Sequence, residues 1–410
     1  MNGPKRPRVA ILHQGCVPNY REAFFRRLGA IAQRDYVVFH GDPEPDSGVV
    51  AAQPPFAFHH VAVRNRFLRV LGRKLVYQPV FARIAFGRYD ALVVGHEIKY
   101  FVNLALLLWF RVLGKPVLFW GFGTGQDFWD EKRGKLGKAA TRVINAGKNA
   151  LVRAASGYLA YTESGVASVM RAGMPRDRIA VLNNTIELEG EIAAHARAQS
   201  LDRAALRREL GVAENAVVFL FVGRLLAGKR VEELIHAVRA LRDDGIAAEA
   251  LIVGDGPERK SLESAAAGLT VCHFLGAVHD VEGISRIYRA SDALVIPGYV
   301  GLAVNRGFAH GMPVITVRSD LHSPEIDYVE DGGNGLILAP GDGFREGLRA
   351  FASDPELRRR LSGGALATRD RLDLGRMVDA FDGAVAAALR RAGKAALTAR
   401  PASDFRSPAE

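Results

Sequence analysis

Residues 219–231 read Phe-Leu-Phe-Val-Gly-Arg-Leu-Leu-Ala-Gly-Lys-Arg-Val, and they give the clearest indication of the fold. Its apolar run up to Gly223 predicts a buried strand, and the run from Val231 predicts a helix after a short turn. Arg224 and Lys229 lie in that turn, five positions apart. Two cations beside a helix N-terminus favour a diphosphate site, because the helix dipole and the charges add. An ordinary turn with surface charges fits the spacing equally well.

The same alternation of short β-branched runs and helical stretches continues on both sides of this turn. The predicted strands are residues 8–13, 36–40, 91–95, 116–121, 157–162, 179–182, 216–223, 248–254, 271–275, 293–297, 313–317 and 335–338. Alternating strands and helices indicate βαβ units and parallel sheets. We therefore expect an α/β protein with two Rossmann-like domains facing across a cleft, where ligands bind at the carboxyl ends of the strands.

The domain boundaries follow from changes in composition along the chain. We expect a first domain at residues 1–190, a polar, alanine-rich linker at 191–214 and a second domain at 215–370. A C-terminal helix at 371–397 could cross back to the first domain. Residues 398–410 contain two prolines and no periodicity, which predicts a disordered tail.

Composition narrows the class of protein. The chain has 410 residues, of which 49% are apolar and 24% charged, as in globular proteins. Its longest clean apolar run, residues 104–110, is too short for a membrane-spanning helix, and residues 1–8 do not resemble a signal peptide. Cys16 and Cys272 are too few for a disulfide framework or a zinc site. These features predict a cytoplasmic protein.

Positive charge is concentrated in one part of the chain. The net charge is +11, and residues 61–160 alone hold 17 Lys+Arg against 5 Asp+Glu, a balance of +12. Arg66 and Arg69 are interleaved there with Phe67 and Leu68. Basic and apolar residues together predict peripheral contact with an anionic membrane, unless the apolar side chains face the domain core. No nucleic-acid-binding module is recognisable, so we expect no nucleic acid partner.

Three further motifs follow in the second half. Residues 251–258 form a strand-to-helix turn that contains Gly254 and Gly256. Residues 294–315 run from a strand through a glycine loop into a helix near Leu302, which predicts that the backbone amides of residues 300–303 face an anion. Glu325 then lies in a short loop after the next strand.

In this order and spacing, the four motifs resemble the carboxyl-terminal domain of glycosyltransferase family 4, which has the two-domain GT-B fold. The resemblance covers residues 217–338. The first half resembles the family more loosely, at residues 17–28, 119–123 and 181–185.

The resemblance implies a transferase that moves a sugar from a nucleotide-sugar donor to a lipid-linked or saccharide acceptor, with retention at the anomeric carbon. Such an enzyme would serve surface polysaccharide or glycolipid biosynthesis at the inner face of the plasma membrane, without a metal or other cofactor. Arg224 and Lys229 correspond to the residues that hold the donor diphosphate. The other implied donor-binding residues are Gly223, Gly254, Gly256, Gly298, Val300, Gly301 and Leu302, and those on the acceptor side are Gly15, Tyr20 and Arg21.

The chain departs from the family pattern at two glutamates, whose positions fall on Gly298 and Arg306. It looks closer to a variant branch that lacks this pair. We expect Arg306 to add positive charge near the diphosphate and Glu325 to accept hydrogen bonds in place of the missing acids. His96, or the position of Phe122, corresponds to a family histidine that contacts the donor sugar, although a lone histidine after a strand is more often structural.

Two other functions remain open at this point. One is a catalytically degenerate paralogue that binds nucleotide sugars, and the other is a different GT-B enzyme such as a nucleotide-sugar epimerase. The presence of Arg224 and Lys229 argues against a degenerate site. Slow hydrolysis of the donor without acceptor would distinguish a transferase from a binding protein.

Overall fold

The computed structural model forms two compact units, residues 1–183 with 374–410 and residues 184–373. The residues that the structure describes are 6–13, 15–44, 49–70, 73–97, 99–124 and 138–393. The tail expected at 398–410 lies outside the described residues.

The first unit contains a seven-stranded parallel sheet and a separate antiparallel hairpin. Its strands are β1 (Arg8–His13), β2 (Asp35–His40), β3 (His60–Ala62), β4 (Arg66–Val70), β5 (Arg73–Tyr77), β6 (Ala91–Gly95), β7 (Val117–Gly121), β8 (Gly157–Ala160) and β9 (Ile179–Val181). The sheet order is β3-β2-β1-β6-β7-β8-β9, and β4 pairs with β5 in the hairpin. Strand order reverses between β1 and β6, so the loops after these strands border the crevice where such sheets bind ligands.

Helices cover both faces of this sheet. They are α1 (Asn19–Gly29), α2 (Phe81–Ala85), α3 (Val102–Val112), α4 (Lys138–Ala154), α5 (Glu163–Arg171) and α14 (Leu374–Arg391). Val9 and Ile11 pack into one core, and Ala10 and Leu12 pack into the other, as the alternation of a strand requires. None of the helices in the described segments is long and apolar enough to span a bilayer.

The C-terminal helix α14 belongs to the first unit. Met377 and Phe381 are fully buried against the Val9 side of the sheet. Asp382 forms an ion pair with Arg34 and accepts a hydrogen bond from the Tyr36 hydroxyl at 2.7 Å. These apolar and charged contacts fix the helix to the sheet.

The second unit is built on a six-stranded parallel sheet. Its strands are β10 (Val217–Val222), β11 (Ala248–Val253), β12 (Cys272–Gly276), β13 (Ala293–Ile296), β14 (Val314–Val317) and β15 (Gly335–Leu338). Its helices are α6 (Glu189–Ala198), α7 (Arg203–Glu209), α8 (Val231–Asp243), α9 (Arg259–Ala265), α10 (Val281–Ala290), α11 (Ala303–Ala309), α12 (Asp342–Ser353) and α13 (Pro355–Arg369). The order β12-β11-β10-β13-β14-β15 reverses between β10 and β13, which places the crevice beside the loops after those two strands.

The segment 191–214 is part of the second unit and not a linker, so that expectation is wrong. Buried Arg207 donates hydrogen bonds to the carbonyls of Ala290 at 3.0 Å and Ala216 at 2.9 Å, and it pairs with Asp292 at 2.8 Å. A buried guanidinium is stable only when it is paired and hydrogen-bonded, so these bonds fix α7 to the sheet. The units meet in sequence at 183/184 instead of at a linker.

Candidate functional site

The loops after β10 and β13 interlock at the point where the strand order reverses. The Tyr299 amide donates to the Gly228 carbonyl at 3.2 Å, and Lys229 Nζ donates to the Tyr299 carbonyl at 2.7 Å. A Cβ at Gly298 would overlap the Gly228 carbonyl oxygen and lie 2.7 Å from the Lys229 Cα. The backbone therefore leaves no room for a side chain at position 298.

Lys229 occupies an environment that disfavours its charge. The ammonium lies 4.0 Å from the centre of the Tyr299 ring. Burial lowers the pKa of Lys229 to about 8, and the Glu325 carboxylate partly opposes this shift. Arg224 lies in the same loop but is exposed, with no hydrogen bond or ion pair to the described residues. The loop thus presents one half-buried and one exposed cation.

Glu325 lies in the loop after β14, and its carboxylate acts electrostatically on Lys229. It lies in the 3-10 turn Pro324–Tyr328, where its side chain is buried, and its Oε1 accepts a hydrogen bond from Asn184 Nδ2 at 2.6 Å. The Tyr328 hydroxyl donates to the Asn184 carbonyl at 3.1 Å. The structure therefore brings together two of the residues selected from the sequence, Lys229 and Glu325.

His322 organises the loop between β13 and α11. Its Nδ1 accepts the Val300 amide proton at 3.1 Å, so its Nε2 carries the proton that is donated to the Val317 carbonyl at 2.7 Å. Burial, with a smaller effect of the Lys229 charge, lowers the pKa of His322 and keeps it neutral. The expectation that the Val300 amide faces an anion is wrong, because that amide is buried and already bonded. The amides of Gly301 and Leu302 have no hydrogen-bond partner in the described parts of the chain.

Gly254 and Gly256 allow the turn after β11 to lie against the turn after β10. Gly254 has a φ of +136°, and a Cβ on it would overlap the Gly223 carbonyl oxygen. A Cβ on Gly256 would overlap the Leu225 carbonyl oxygen in the same way. These glycines hold the backbone next to Arg224 in place.

Arg306 is directed towards α6, which corrects the expectation that its charge lies near the diphosphate. Its Nε lies 3.5 Å from Glu191 Oε1, and Arg306 is not among the charges that act on the pKa of Lys229. The preceding Asn305 is fully buried and donates through Nδ2 to the Asn184 carbonyl at 3.2 Å. Helix α11 is thereby tied to the start of the second unit.

The candidates in the first unit lie around its own switch point. His96 follows β6, and its Nδ1 lies 3.2 Å from the Tyr158 hydroxyl, with its ring against Phe119. Phe122 follows β7 and packs on Tyr161 with ring centres 4.7 Å apart.

The acceptor-side candidates differ in exposure. Gly15 lies in the loop between β1 and α1, and Tyr20 lies in the first turn of α1, where it is exposed. Arg21 is buried, with its guanidinium 5.6 Å from the Trp120 ring centre and Nη1 3.6 Å from Met377 Sδ. Arg21 therefore packs under α14 and the sheet, whereas Tyr20 is open to solvent.

Sequence reasoning missed four residues that shape the site in the second unit: Asn184, Tyr299, Asn305 and His322. Each lies in or directly beside a quoted motif, so the motifs pointed to the right segments. Their roles depend on contacts between distant positions, such as Asn184 with Glu325, which no local pattern encodes.

Residues 202–366, which all lie in the second unit, match the model of the family described as glycosyl transferases group 1. A D-inositol 3-phosphate glycosyltransferase from Geodermatophilus obscurus is 35% identical over 50% of this chain and 48% of its own length. A GDP-mannose-dependent alpha-(1-6)-phosphatidylinositol dimannoside mannosyltransferase from Mycobacterium tuberculosis is 29% identical over 38% of this chain and 41% of its own. The chain thus spans about half the length, or less, of these relatives.

A solved structure matches most of the length of the chain. The Anabaena protein Alr3699/HepE in complex with UDP superposes with a TM-score of 0.66 at 17% identity, over 93% of this chain and 100% of that chain. The chain therefore has the GT-B fold, with two Rossmann-like domains.

Proposed function

We propose that the protein is a retaining glycosyltransferase of family 4 that moves a sugar from a nucleotide-sugar donor to a lipid-linked or saccharide acceptor. The observation that carries the proposal is the half-buried Lys229 at the switch point of the second sheet, which feels the charge of the Glu325 carboxylate and lies in the same loop as the exposed Arg224. Ligands of open parallel sheets bind at this place. A lysine whose pKa is lowered at such a place is a candidate for binding an anionic ligand, because the anion would stabilise its charged form.

Arg224 and Lys229 would bind the two phosphates of the donor. As the bond between the anomeric carbon and the phosphate oxygen breaks, its electron pair stays on the departing diphosphate. Two fixed cations stabilise this developing charge more than they stabilise the ground state. The backbone amides of Gly301 and Leu302 would also donate hydrogen bonds to the diphosphate, since both lack a hydrogen-bond partner in the described chain.

Glu325 would accept hydrogen bonds from hydroxyl groups of the donor. Its carboxylate is buried and accepts a hydrogen bond from Asn184, and an ionised carboxylate can accept several hydrogen bonds at once. The acceptor substrate would bind the first unit, on the side of Gly15 and Tyr20. We expect no metal requirement, because the two cations supply the charge that a metal would otherwise supply, and a chelator should leave the rate unchanged.

The donor binding test uses UDP and GDP, the nucleotides of the UDP-bound structural relative and of the GDP-mannose-dependent relative. We expect saturable binding of one of them by calorimetry, weakened about ten-fold or more in Lys229→Gln, since a charge-assisted bond to phosphate is lost. Lys260→Gln is the matched control, because Lys260 is exposed on α9. Equal affinities in all three proteins would refute the donor site.

A second experiment separates a transferase from a degenerate binder. The wild-type protein is incubated with UDP-glucose or GDP-mannose without acceptor, and release of free sugar is followed over time by nuclear magnetic resonance. Hydrolysis that initially releases the anomer with the donor's configuration supports a retaining transferase. Tight binding without any hydrolysis or transfer would favour the degenerate binder.

The enzyme would act at the inner face of the plasma membrane through a surface of the first unit. Helix α3 buries one side in the core, but on its other side Phe101, Leu104, Leu108 and Val112 are 45–83% exposed. A contiguous exposed apolar face of this kind marks an interaction site. The Phe101 ring stacks on Tyr77 of the hairpin β4–β5, with ring centres 5.7 Å apart. This contact places the hairpin next to the apolar face.

An anionic bilayer fits the exposed apolar side chains of this face and the +12 balance of residues 61–160, the segment of sequence that contains it. We expect co-sedimentation with phosphatidylglycerol vesicles at low salt. Binding should weaken at high salt and also in the double variant Leu104→Ser, Leu108→Ser, which leaves the charge unchanged. Absence of binding at low salt would rule the membrane contact out.

A further inference from the structure

A buried polar network surrounds Glu325 in the second unit. Its members come from three segments that are distant in sequence: the residues before α6, helix α11 and the 3-10 turn after β14. All five are buried, namely Asn184, Thr185, Asn305, Glu325 and Tyr328. Burying a polar side chain costs free energy unless it is hydrogen-bonded, so such a cluster is stable only when its members bond to one another.

Asn184 is at the centre of this network. Its side chain donates from Nδ2 to Glu325 Oε1 at 2.6 Å. Its backbone carbonyl accepts hydrogen bonds from Asn305 Nδ2 at 3.2 Å and from the Tyr328 hydroxyl at 3.1 Å. Asn305 Nδ2 also donates to Thr185 Oγ1 at 3.2 Å. Two other elements therefore hold the backbone of Asn184, while its side chain holds Glu325.

The bond between Asn184 and Glu325 fixes a charge that acts on Lys229. An ionised carboxylate only accepts hydrogen bonds, so the amide group of Asn184 that faces it is the NH₂ and not the oxygen. A glutamate has a long, flexible side chain, and holding it in one rotamer costs entropy that a charge-assisted bond offsets. The Glu325 charge raises the pKa of Lys229 against the effect of burial. The Tyr299 ring and His322 also face the ammonium, and burial keeps His322 neutral.

We propose that Asn184 is a positioning residue that holds the Glu325 carboxylate in place at the donor site, and that Asn305 and Tyr328 hold Asn184. Functional side chains keep a productive geometry when further hydrogen bonds lock their own rotamers. Asn184 acts through Glu325 and has no need to touch the donor. Only the identity of the ligand that Glu325 meets rests on the proposed function.

The test measures the protonation of Lys229 in the full chain without any nucleotide. Competitive acetylation with acetic anhydride at a series of pH values, followed by peptide mass spectrometry, gives a labelling midpoint for each lysine. Glu325→Gln sets the reference, because it removes the charge and should lower the midpoint of Lys229. Asn184→Leu, which is similar in size, should lower it by at least about half as much, since a buried carboxylate without its donor either moves away or takes up a proton. The exposed Lys260 on α9 should keep its midpoint in every protein.

Asn334→Leu is the matched control for Asn184→Leu. Asn334 is equally buried and donates to the Tyr328 carbonyl at 2.8 Å, so it supports the same turn without bonding Glu325. It should leave the midpoint of Lys229 unchanged. An unchanged midpoint in Asn184→Leu beside a lowered one in Glu325→Gln would overturn the proposal, and so would equal shifts in Asn184→Leu and Asn334→Leu.

Tyr328→Phe gives a second arm that keeps the packing of the turn. It removes one hydrogen bond to the Asn184 carbonyl, so the protein should fold and the midpoint of Lys229 should fall by less than in Asn184→Leu. A rise of the midpoint in Tyr328→Phe would contradict the positioning role. The donor assignment is judged separately by calorimetry: a wild-type protein that binds neither UDP nor GDP, yet shows these shifts in labelling, would refute the donor site and support the positioning of Glu325 by Asn184.

Discussion

Raising the pH from 7 to 9 should weaken nucleoside diphosphate binding about ten-fold, because Lys229 then loses its proton in the free protein. The structural cause is the burial of its ammonium beside Tyr299, which lowers the pKa of Lys229 from 10.5 to about 8. The difference, 10.5 − 8 = 2.5 units, is a penalty of roughly 3 kcal/mol on the charged form. A bound diphosphate offsets that penalty, so binding favours protonation.

The sign of the effect follows from this coupling. Below pH 7 Lys229 is charged in both states and its contribution to affinity is constant. Above pH 8 a proton must be taken up on binding, so affinity falls with rising pH, and uptake should be about half a proton at pH 8. Neither His322 nor the diphosphate titrates in this window. Burial holds the pKa of His322 below its ordinary value, and phosphate has its second ionisation near pH 6.

The assay is calorimetry with UDP or GDP at pH 7, 8 and 9, each in two buffers that differ in ionisation enthalpy. The difference between the buffers gives the number of protons taken up. Lys229→Arg is the control, because a guanidinium stays charged throughout and should abolish both the proton uptake and the loss of affinity. A wild-type affinity that is flat from pH 7 to 9, with no proton uptake, would refute the assignment of Lys229 to the phosphates.

The remaining predictions address other residues of the site. Arg224→Ala should weaken binding of the diphosphate about ten-fold by calorimetry without lowering the melting temperature, since Arg224 is exposed; unchanged affinity would exclude it from the site. Glu325→Gln should lower donor affinity or turnover and should shift the pH effect to lower pH, because the carboxylate raises the pKa of the nearby lysine. Arg306→Glu should not improve turnover and should destabilise the fold, because it places a second carboxylate beside Glu191; faster transfer would contradict this. Gly298→Ala should reduce the free energy of unfolding by about 1–3 kcal/mol in denaturant titration, since the facing loop leaves no room for a Cβ.

Apolar periodicity was sufficient to predict both parallel sheets. All twelve predicted strands appear within two residues of their expected bounds, because strands covered on both faces read as continuous apolar runs. The pattern missed the hairpin β4–β5, where arginines alternate irregularly with apolar residues, and the short edge strand β3. Phe67 and Leu68 of the hairpin and His60 and Ala62 of β3 are exposed, so burial leaves little mark on the sequence of these elements.

The error at Arg306 arises from a contact between distant segments of the chain. Arg306 was assigned to the diphosphate because it lies early in the helix after β13, whereas its partner Glu191 lies at the edge of the segment interpreted as a linker. That segment is polar and rich in alanine, and only the bonds of the buried Arg207 reveal that it belongs to the second unit. In contrast, Lys229 and Glu325 were predictable, since each follows a strand next to β13 and parallel strands end at the same edge of a sheet.

The family resemblance places glutamates at positions 298 and 306, where this chain has Gly298 and Arg306. Each of these two residues makes local contacts that a glutamate could not make. At Gly298 the absence of a side chain lets two loops touch, and that contact brings the Tyr299 carbonyl to Lys229. At Arg306 the sign of the charge is reversed, and Glu191 supplies the matching acid from α6. A site that had lost its function would be expected to leave Lys229 without an acidic neighbour, yet the buried Glu325 acts on it from the next loop. This compensation is the reason to expect turnover, and it makes Glu325 the residue whose substitution should separate a transferase from a binding protein.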